Sequence, residues 1–316
     1  MSLISDGARR ARRHGADPEP DPHQTRGGES VPVPSPPHDA AFPPAATNGS
    51  AGLETGRTAP RAVPTTDHRA LPMRDRLAAV TIDAMARWTP YVESEICGLR
   101  QLVQPGDVCI DVGAAAGIYT LALSRLAGPT GRVHSIEPLP FANLQLARLL
   151  NVGRAANVRQ HAMALSTEPG VDIMSVPVGR FGLVTGRSFL DRRAGGPDPN
   201  TEFPGRAAIM VTVDTLDALC AREGIDRLDF VKIDVEGAEL EVLEGGRQVI
   251  QTLQPAMLVE IEARHAARYE RTTDDVTEWM LARGYTMYTW KHGWRWTPSI
   301  LAGTRNYLFR PPHRTQ

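Results

Sequence analysis

The sequence predicts an α/β protein: a doubly wound, mostly parallel sheet with helices on both faces and an antiparallel hairpin at its end. Three observations predict it. Short apolar runs alternate with helical stretches from about residue 105 to residue 310, the pattern of repeated strand–helix units. Several of those runs are continuously apolar, as strands buried on both faces require. The carboxylates and glycines of this span gather at the carboxyl ends of the runs, where open parallel sheets bind their ligands.

Before that span the texture differs. Residues 1–72 are rich in Pro, Gly, Ser, Thr and Ala, with segments such as Val31-Pro32-Val33-Pro34-Ser35-Pro36-Pro37. Proline removes backbone donors, and the few apolar residues follow neither helical nor strand spacing. Such a segment buries too little surface to offset its ordering entropy and is expected to be disordered. Residues 73–104 read as helix, with Leu77, Val80, Met85 and Trp88, then Ile96, Leu99 and Val103, near helical spacing. Pro90 divides them into two helices. Gln104-Pro105-Gly106-Asp107 then makes a turn.

The alternation follows in order. Residues 108–112 form a first strand, 118–126 a helix ended by Gly128-Pro129, 132–137 a second strand and 141–150 a second helix. Residues 157–165 read as a third strand. Residues 171–178 and 209–213 are further strand material around an irregular insert, 179–206, either a lid or a surface loop. A helix over 216–222 leads to a strongly apolar strand over 228–234. One helix over 239–250, a strand over 256–261 and a helix over 274–283 come next. Residues 285–290 and 307–309 are expected to pair antiparallel, with Trp290, Trp294 and Trp296 packing that hairpin or stacking on a ligand. Residues 311–316 are a short tail.

Composition narrows the function. The 316 residues carry a formal net charge of −1 and are 41% hydrophobic, which suits a globular core and argues against an electrostatic grip on nucleic acid. Cys97, Cys109 and Cys220 are far apart and odd in number, without the spacing of a zinc site or a redox dithiol, so buried reduced thiols are expected. No run of about 18 apolar residues is present to span a membrane. The arginines at positions 9–13 precede acids and prolines rather than an apolar stretch, so the expected location is cytoplasmic.

Chemistry concentrates at four strand ends. The first reads Asp111-Val112-Gly113-Ala114-Ala115-Ala116-Gly117, a small loop over which a cofactor can approach the backbone. The second ends in Glu137, 24 positions after Gly113, where a carboxylate can accept hydrogen bonds from both hydroxyls of a ribose. The second glycine position of a dinucleotide fingerprint is Ala115, and Asp111 would repel a diphosphate. The loop therefore suits the cationic amino-acid end of S-adenosylmethionine better than a pyrophosphate. The strand over 228–234 continues into Asp234, Val235, Glu236 and Gly237, with Lys232 inside the apolar run. Asp234 and Glu236 share side-chain parity if the strand persists. Either could act as general base, bind substrate or hold a divalent metal. Glu239 reads as a helix N-terminal acid, and Lys232 as the counter-charge of its neighbours. His265, just past the strand over 256–261, is a second candidate proton acceptor.

Taken together, the D-V-G-A-A-A-G-I-Y loop, I-E-P, V-D-T-L-D and F-V-K-I-D-V-E-G-A-E-L-E-V-L-E-G resemble FkbM-type methyltransferases over about residues 105–262. The resemblance implies the Rossmann-like class I methyltransferase fold over residues 105–310 and S-adenosylmethionine as cofactor. It also implies O-methylation of a hydroxyl on a small metabolite such as a polyketide or sugar. Asp111, Gly113 and Gly117 would surround the methionine part, Glu137 the ribose, and Asp234 and Glu236 the reaction end. Two departures stand out. Family sequences usually carry Asn where this chain has Ala115, which leaves only backbone contacts there, and the acid common after the third strand is replaced by Ser166, a weaker candidate for the adenine. A nicotinamide oxidoreductase on a related fold, and a non-catalytic cofactor-binding module, are the alternatives.

Overall fold

A computed structural model describes residues 93–180 and 182–312. The expected disordered tail at 1–72, the first of the two predicted helices and residues 313–316 lie outside the described residues. The second predicted helix is a 3-10 helix, Ser94–Gln101.

The main sheet has eight strands. Its parallel part comprises β1 (Val108–Val112), β2 (Arg132–Ile136), β3 (Val158–His161), β9 (Phe230–Ile233) and β10 (Ala256–Glu260). The strand order β3-β2-β1 and then β9-β10 reverses direction beside β1, which is paired in parallel with both β2 and β9. Beyond β10 lie β13 (Asn306–Arg310), β11 (Thr286–Trp290) and β12 (Trp294–Trp296), each antiparallel to its neighbour. The expected terminal hairpin is thus present, with one additional strand.

Successive residues of the parallel strands enter two different cores, which is how a continuously apolar strand is consumed in a doubly wound sheet. Cys109, Phe230 and Leu258 join Ile96, Leu99 and Leu123 on one face. Ile110, Val231 and Val259 join Leu219, Val242 and Met280 on the other. The first face is covered by the 3-10 helix and α1 (Ile118–Ala127). The second is covered by α3 (Leu216–Glu223), α4 (Glu239–Gly245), α5 (Arg247–Leu253) and α7 (Thr273–Leu281). Between β2 and β3 runs α2 (Pro140–Gly153), whose Leu146 and Leu150 pack on Ala114. Local chemistry starts two of these helices. Thr215 Oγ1 accepts the Ala218 N–H at 3.0 Å, and Thr272 and Asp275 form a capping box.

Three expectations are corrected. The strand predicted over 157–165 is two strands in two sheets: β3 ends at His161, and β4 (Ala164–Leu165) pairs with β8 (Gly205–Asp214) instead. The helix predicted over 239–250 is two, because Gly246 leaves helical geometry at φ −110°, ψ 15°. The strand material at 171–178 and 209–213 forms a separate sheet in which β5 (Gly170–Gly179) runs antiparallel to β8 over nearly its whole length. Two short strands of the insert, β6 (Gly182–Leu183) and β7 (Phe189–Leu190), also pair with β5. One face of this second sheet buries Met174, Val176, Val211 and Val213 against Leu139 and Ala142 at the start of α2. That contact brings the insert between β5 and β8 over the carboxyl ends of the main strands. The tryptophans pack the hairpin: Trp290 and Trp294 meet edge to face at 5.1 Å, and Trp294 Nε1 donates to the Gly98 carbonyl.

Candidate active site

A cavity of about 240 Å³ lies where the strand order reverses, at the ends of β1, β2, β9 and β10, the expected ligand position in an open α/β sheet. Gly113, Ala115 and Glu137 line one part of it; Asp234, Glu236, Glu260 and His265 line another. The insert closes it with Thr185 to Leu190, so the stretch that sequence left between lid and loop is a wall of the cavity.

The first part is built by β1, β2 and the loop between β1 and α1. Gly113 and Ala114 both donate to the Ile136 carbonyl at 3.0 Å, which folds the loop against the end of β2. Ala115 takes φ 44° and donates its N–H to Glu137 Oε2 at 2.9 Å. Leu139 N–H donates to Glu137 Oε1, also at 2.9 Å. Glu137 is only 5% exposed, and burial raises its pKa against the lowering effect of these two backbone donors. Each oxygen retains a lone pair for a further donor from the cavity. Ala115 therefore contributes through its backbone, as the loss of an asparagine side chain requires.

Three sequence candidates stand off the lining. Asp111 is buried beneath the loop, where its carboxylate accepts from Thr120 Oγ1. Burial raises its pKa to about 6, with the Thr120 bond and the Lys232 charge opposing. It ties β1 to α1 and does not line the cavity. Gly117 precedes α1 at φ 86°, and a Cβ there would lie 2.2 Å from Leu146 Cδ1. The left-handed backbone is what demands glycine there. Ser166 is off the lining, and its backbone is engaged: its N–H bonds the Asp214 carbonyl and its own carbonyl faces Gly245. Ala164 and Leu165 line the cavity in its place.

The second part carries the charge. β9 stops at Ile233, so strand parity does not bring Asp234 and Glu236 together. A turn does, with Glu236 held at φ 59°. Such a conformation costs a non-glycine residue about 1–3 kcal/mol, and Arg268 Nη1 fixes it by donating to the Glu236 carbonyl at 2.7 Å. Glu239 Oε1 accepts the N–H groups of Val235 and Gly237, both at 3.1 Å, and so organises the turn. Lys232, 1% exposed, donates to Asn306 Oδ1 at 3.0 Å and to Asp234 Oδ2 at 3.4 Å. Burial opposes the Asp234 charge, but Lys232 and a hydrogen bond from Glu260 outweigh it and hold Asp234 below its ordinary range. Glu260 moves the other way, to about 10, through burial and the adjacent Asp234 charge. Glu236 is pushed up to about 8 by burial and then by Asp234.

His265 lines the cavity from a buried position. Its side chain is 4% exposed, with Nε2 3.1 Å from Glu236 Oε2 and Nδ1 3.4 Å from Glu262 Oε2. Burial lowers its pKa to about 4, which keeps the imidazole neutral. Sequence reading missed Glu260, which sits at the last position of β10, and Arg187, which reaches the cavity from the insert. A carboxylate ending an apolar run, as at Asp234, is the signal that would have found Glu260.

The fold is that of a Rossmann-like class I methyltransferase. A model of the methyltransferase FkbM domain matches residues 111–287, and the chain belongs to that family of S-adenosylmethionine-dependent methyltransferases. Methyltransferase sdnD of Sordaria araneosa is 27% identical over 201 residues, covering 54% of this chain and 76% of that protein. The 31-O-demethyl-FK506 methyltransferase FkbM of Streptomyces tacrolimicus is 32% identical over 175 residues, covering 47% of this chain and 64% of that one. Among solved structures, a methyltransferase FkbM from Methylobacillus flagellatus KT superposes with a TM-score of 0.42 at 16% identity, over 76% of this chain and 55% of that one. Family membership sets aside the nicotinamide oxidoreductase. Among the described residues, no helix is long and apolar enough to cross a membrane.

Proposed function

We propose that this protein methylates a hydroxyl oxygen of a small metabolite, with the methyl donor on the Glu137 side of the cavity and the acceptor on the Asp234 side. The observation that carries the reading is the division of one cavity into a part with one buried carboxylate and open backbone, and a part crowded with acids and a histidine. The first part fits S-adenosylmethionine. Glu137 has lone pairs to receive two ribose hydroxyls, while the side-chain-free surface at Gly113 leaves room for the amino-acid end. Ile136, Leu139 and Leu165 offer an apolar bed for the base. When bound, the cofactor supplies an electrophilic methyl group.

The chain's residues have to hold the acceptor oxygen in line with that group and take up its proton. Asp234 is suited to receive the proton, being held ionised beside Lys232 and 29% exposed toward the cavity. Holding both reactants in one water-poor cavity supplies the orientation that dominates such transfers. The name of the Streptomyces relative refers to an O-demethyl substrate, which supports oxygen as the acceptor atom here.

The test is incubation of the protein with methyl-labelled S-adenosylmethionine and a panel of hydroxylated polyketides and sugars, read by mass spectrometry. A mass gain of one methyl on an oxygen, lost in Asp234→Asn, is expected. Tight cofactor binding with no transfer to any hydroxyl would favour a non-catalytic module instead.

A further inference from the structure

We infer that Glu236, Glu260 and His265 hold a divalent transition-metal cation at the acceptor end of the cavity. Its role in gripping an acceptor oxygen rests on the methyl-transfer reading; its existence rests on the geometry alone.

Three separate segments converge on the point: the turn after β9, the end of β10, and α6 (Ala263–Ala266). They bring one ligand atom from each of the three side chains within 4.8 Å of the others. Ligand atoms sharing one ion with bonds of about 2.1 Å lie about 3 to 4 Å apart. The 3.1 Å between Glu236 Oε2 and His265 Nε2 falls in that range. Those two atoms are buried, and despite their proximity neither has a hydrogen-bond partner among the described residues. Close approach without hydrogen-bond alignment is what two lone pairs directed at a common third point produce.

The surroundings support this assignment. Glu262 Oε2 lies 3.4 Å from His265 Nδ1, so the far nitrogen faces a carboxylate, as metal-bound histidines usually require. Glu262 is itself fixed by two hydrogen bonds from Arg264 at 2.8 and 3.0 Å. Three nearby protein cations are engaged elsewhere or stand off. Lys232 serves Asn306 and Asp234, Arg268 serves the Glu236 carbonyl, and Arg305 approaches Glu260 only to 3.9 Å. A set of two carboxylates and one imidazole suits Mn²⁺, Fe²⁺ or Zn²⁺ better than Mg²⁺, which prefers oxygen donors alone.

A second cluster, His134, His161 and Glu223, fails on geometry. His134 Nδ1 and His161 Nε2 are 3.0 Å apart, the rings are 14° from coplanar, and their centroids are 5.3 Å apart. That separation is close to the longest two rings joined at 3.0 Å can have. The bond therefore runs along both rings, and the nitrogens face each other head on. It is an N–H···N hydrogen bond, not a chelate.

The experiment uses the full chain, stripped with a chelator and titrated with MnCl₂, with free Mn²⁺ read by electron paramagnetic resonance. One Mn²⁺ per chain is expected, with affinity weakened at least tenfold in His265→Asn and in Glu260→Gln, and unchanged in His161→Asn. Each variant's fold is checked by circular dichroism, and either of the two site variants alone suffices if the other does not fold. Absence of stoichiometric Mn²⁺ in the wild type, or unchanged affinity in a folded site variant, overturns the inference. S-adenosylmethionine binding by calorimetry, run in chelator, separates the two claims. If it is intact, the donor-site reading stands whatever the metal result; if it is lost in the stripped wild type, the donor site as drawn fails.

Discussion

Replacing Gly113 by alanine should break the junction between the two halves of the cavity. At φ 81°, a Cβ would lie 1.8 Å from the Asp234 carbonyl oxygen, 2.9 Å from its carbon and 3.4 Å from Val235 Cγ1. Both neighbouring atoms under 3 Å are backbone, so no side-chain rotation relieves the clash. The left-handed conformation costs an L-residue about 1–2 kcal/mol. Forcing the loop and the Asp234 turn apart adds about 1–3 kcal/mol, typical of overpacking. The total is about 2–5 kcal/mol, which for a domain of this size lowers Tm by roughly 5–20 °C. Because the displaced backbone belongs to Asp234 and the displacing loop to the Glu137 side, cofactor affinity should fall with stability, by at least tenfold. Thermal unfolding and calorimetric titration with S-adenosylmethionine check both effects. Gly117→Ala is the control: its Cβ would meet Leu146 Cδ1 at 2.2 Å, the tip of a flexible side chain away from the cavity. It should lose stability but bind the cofactor within about threefold of wild type. A Gly113→Ala protein with Tm within about 2 °C of wild type and unchanged cofactor affinity would refute the reasoning.

Other expectations follow from the same geometry. Glu137→Gln leaves one oxygen for two backbone donors and turns an NH₂ toward the other, so S-adenosylmethionine affinity should drop about 10- to 100-fold, the scale of a lost charged hydrogen bond; calorimetry measures it. Lys232→Met removes the buried counter-charge of Asp234, so the pH at which activity half-rises should move upward, and the protein should lose about 3–5 kcal/mol as an uncompensated buried charge is left behind. His134 is held down to about 4 by burial and then by His161. The unfolded chain therefore takes up that proton near pH 6.5 and the folded chain does not. Stability is full above about pH 6.5 and declines toward pH 4, by about 3 kcal/mol at most. The decline in Tm between about pH 7 and about pH 4.5 should be shallower in His134→Gln, and an identical slope would remove His134 from the account.

Much of the fold was legible because buried parallel strands leave a strong trace. Val108 to Val112 and Phe230 to Ile233 serve two cores at once and so are apolar at every step but for Asp111 and Lys232. The second sheet was not legible. β5 and β8 pair across an insert of irregular composition, and one of their faces is open, with Met210 77% exposed. Of the site, Glu137 and Asp234 could be found because a carboxylate ending an apolar run has few structural uses. Backbone contact at Ala115 was expected, but its donation to Glu137 could not be read, since a backbone N–H leaves no mark in sequence. Asp234 and Glu236 were paired by strand parity, yet a turn with positive φ at Glu236 is what joins them. The burial of His265 could not be read, because it depends on α6, four residues long and too short for periodicity to reveal.

A crystal structure with S-adenosylhomocysteine bound would test the central claim most directly. Both ribose hydroxyls should lie within hydrogen-bond distance of the Glu137 carboxylate, with the sulfur facing Asp234 and Glu236. A nucleoside seated elsewhere, with Glu137 still bonded only to Ala115 and Leu139, would contradict it.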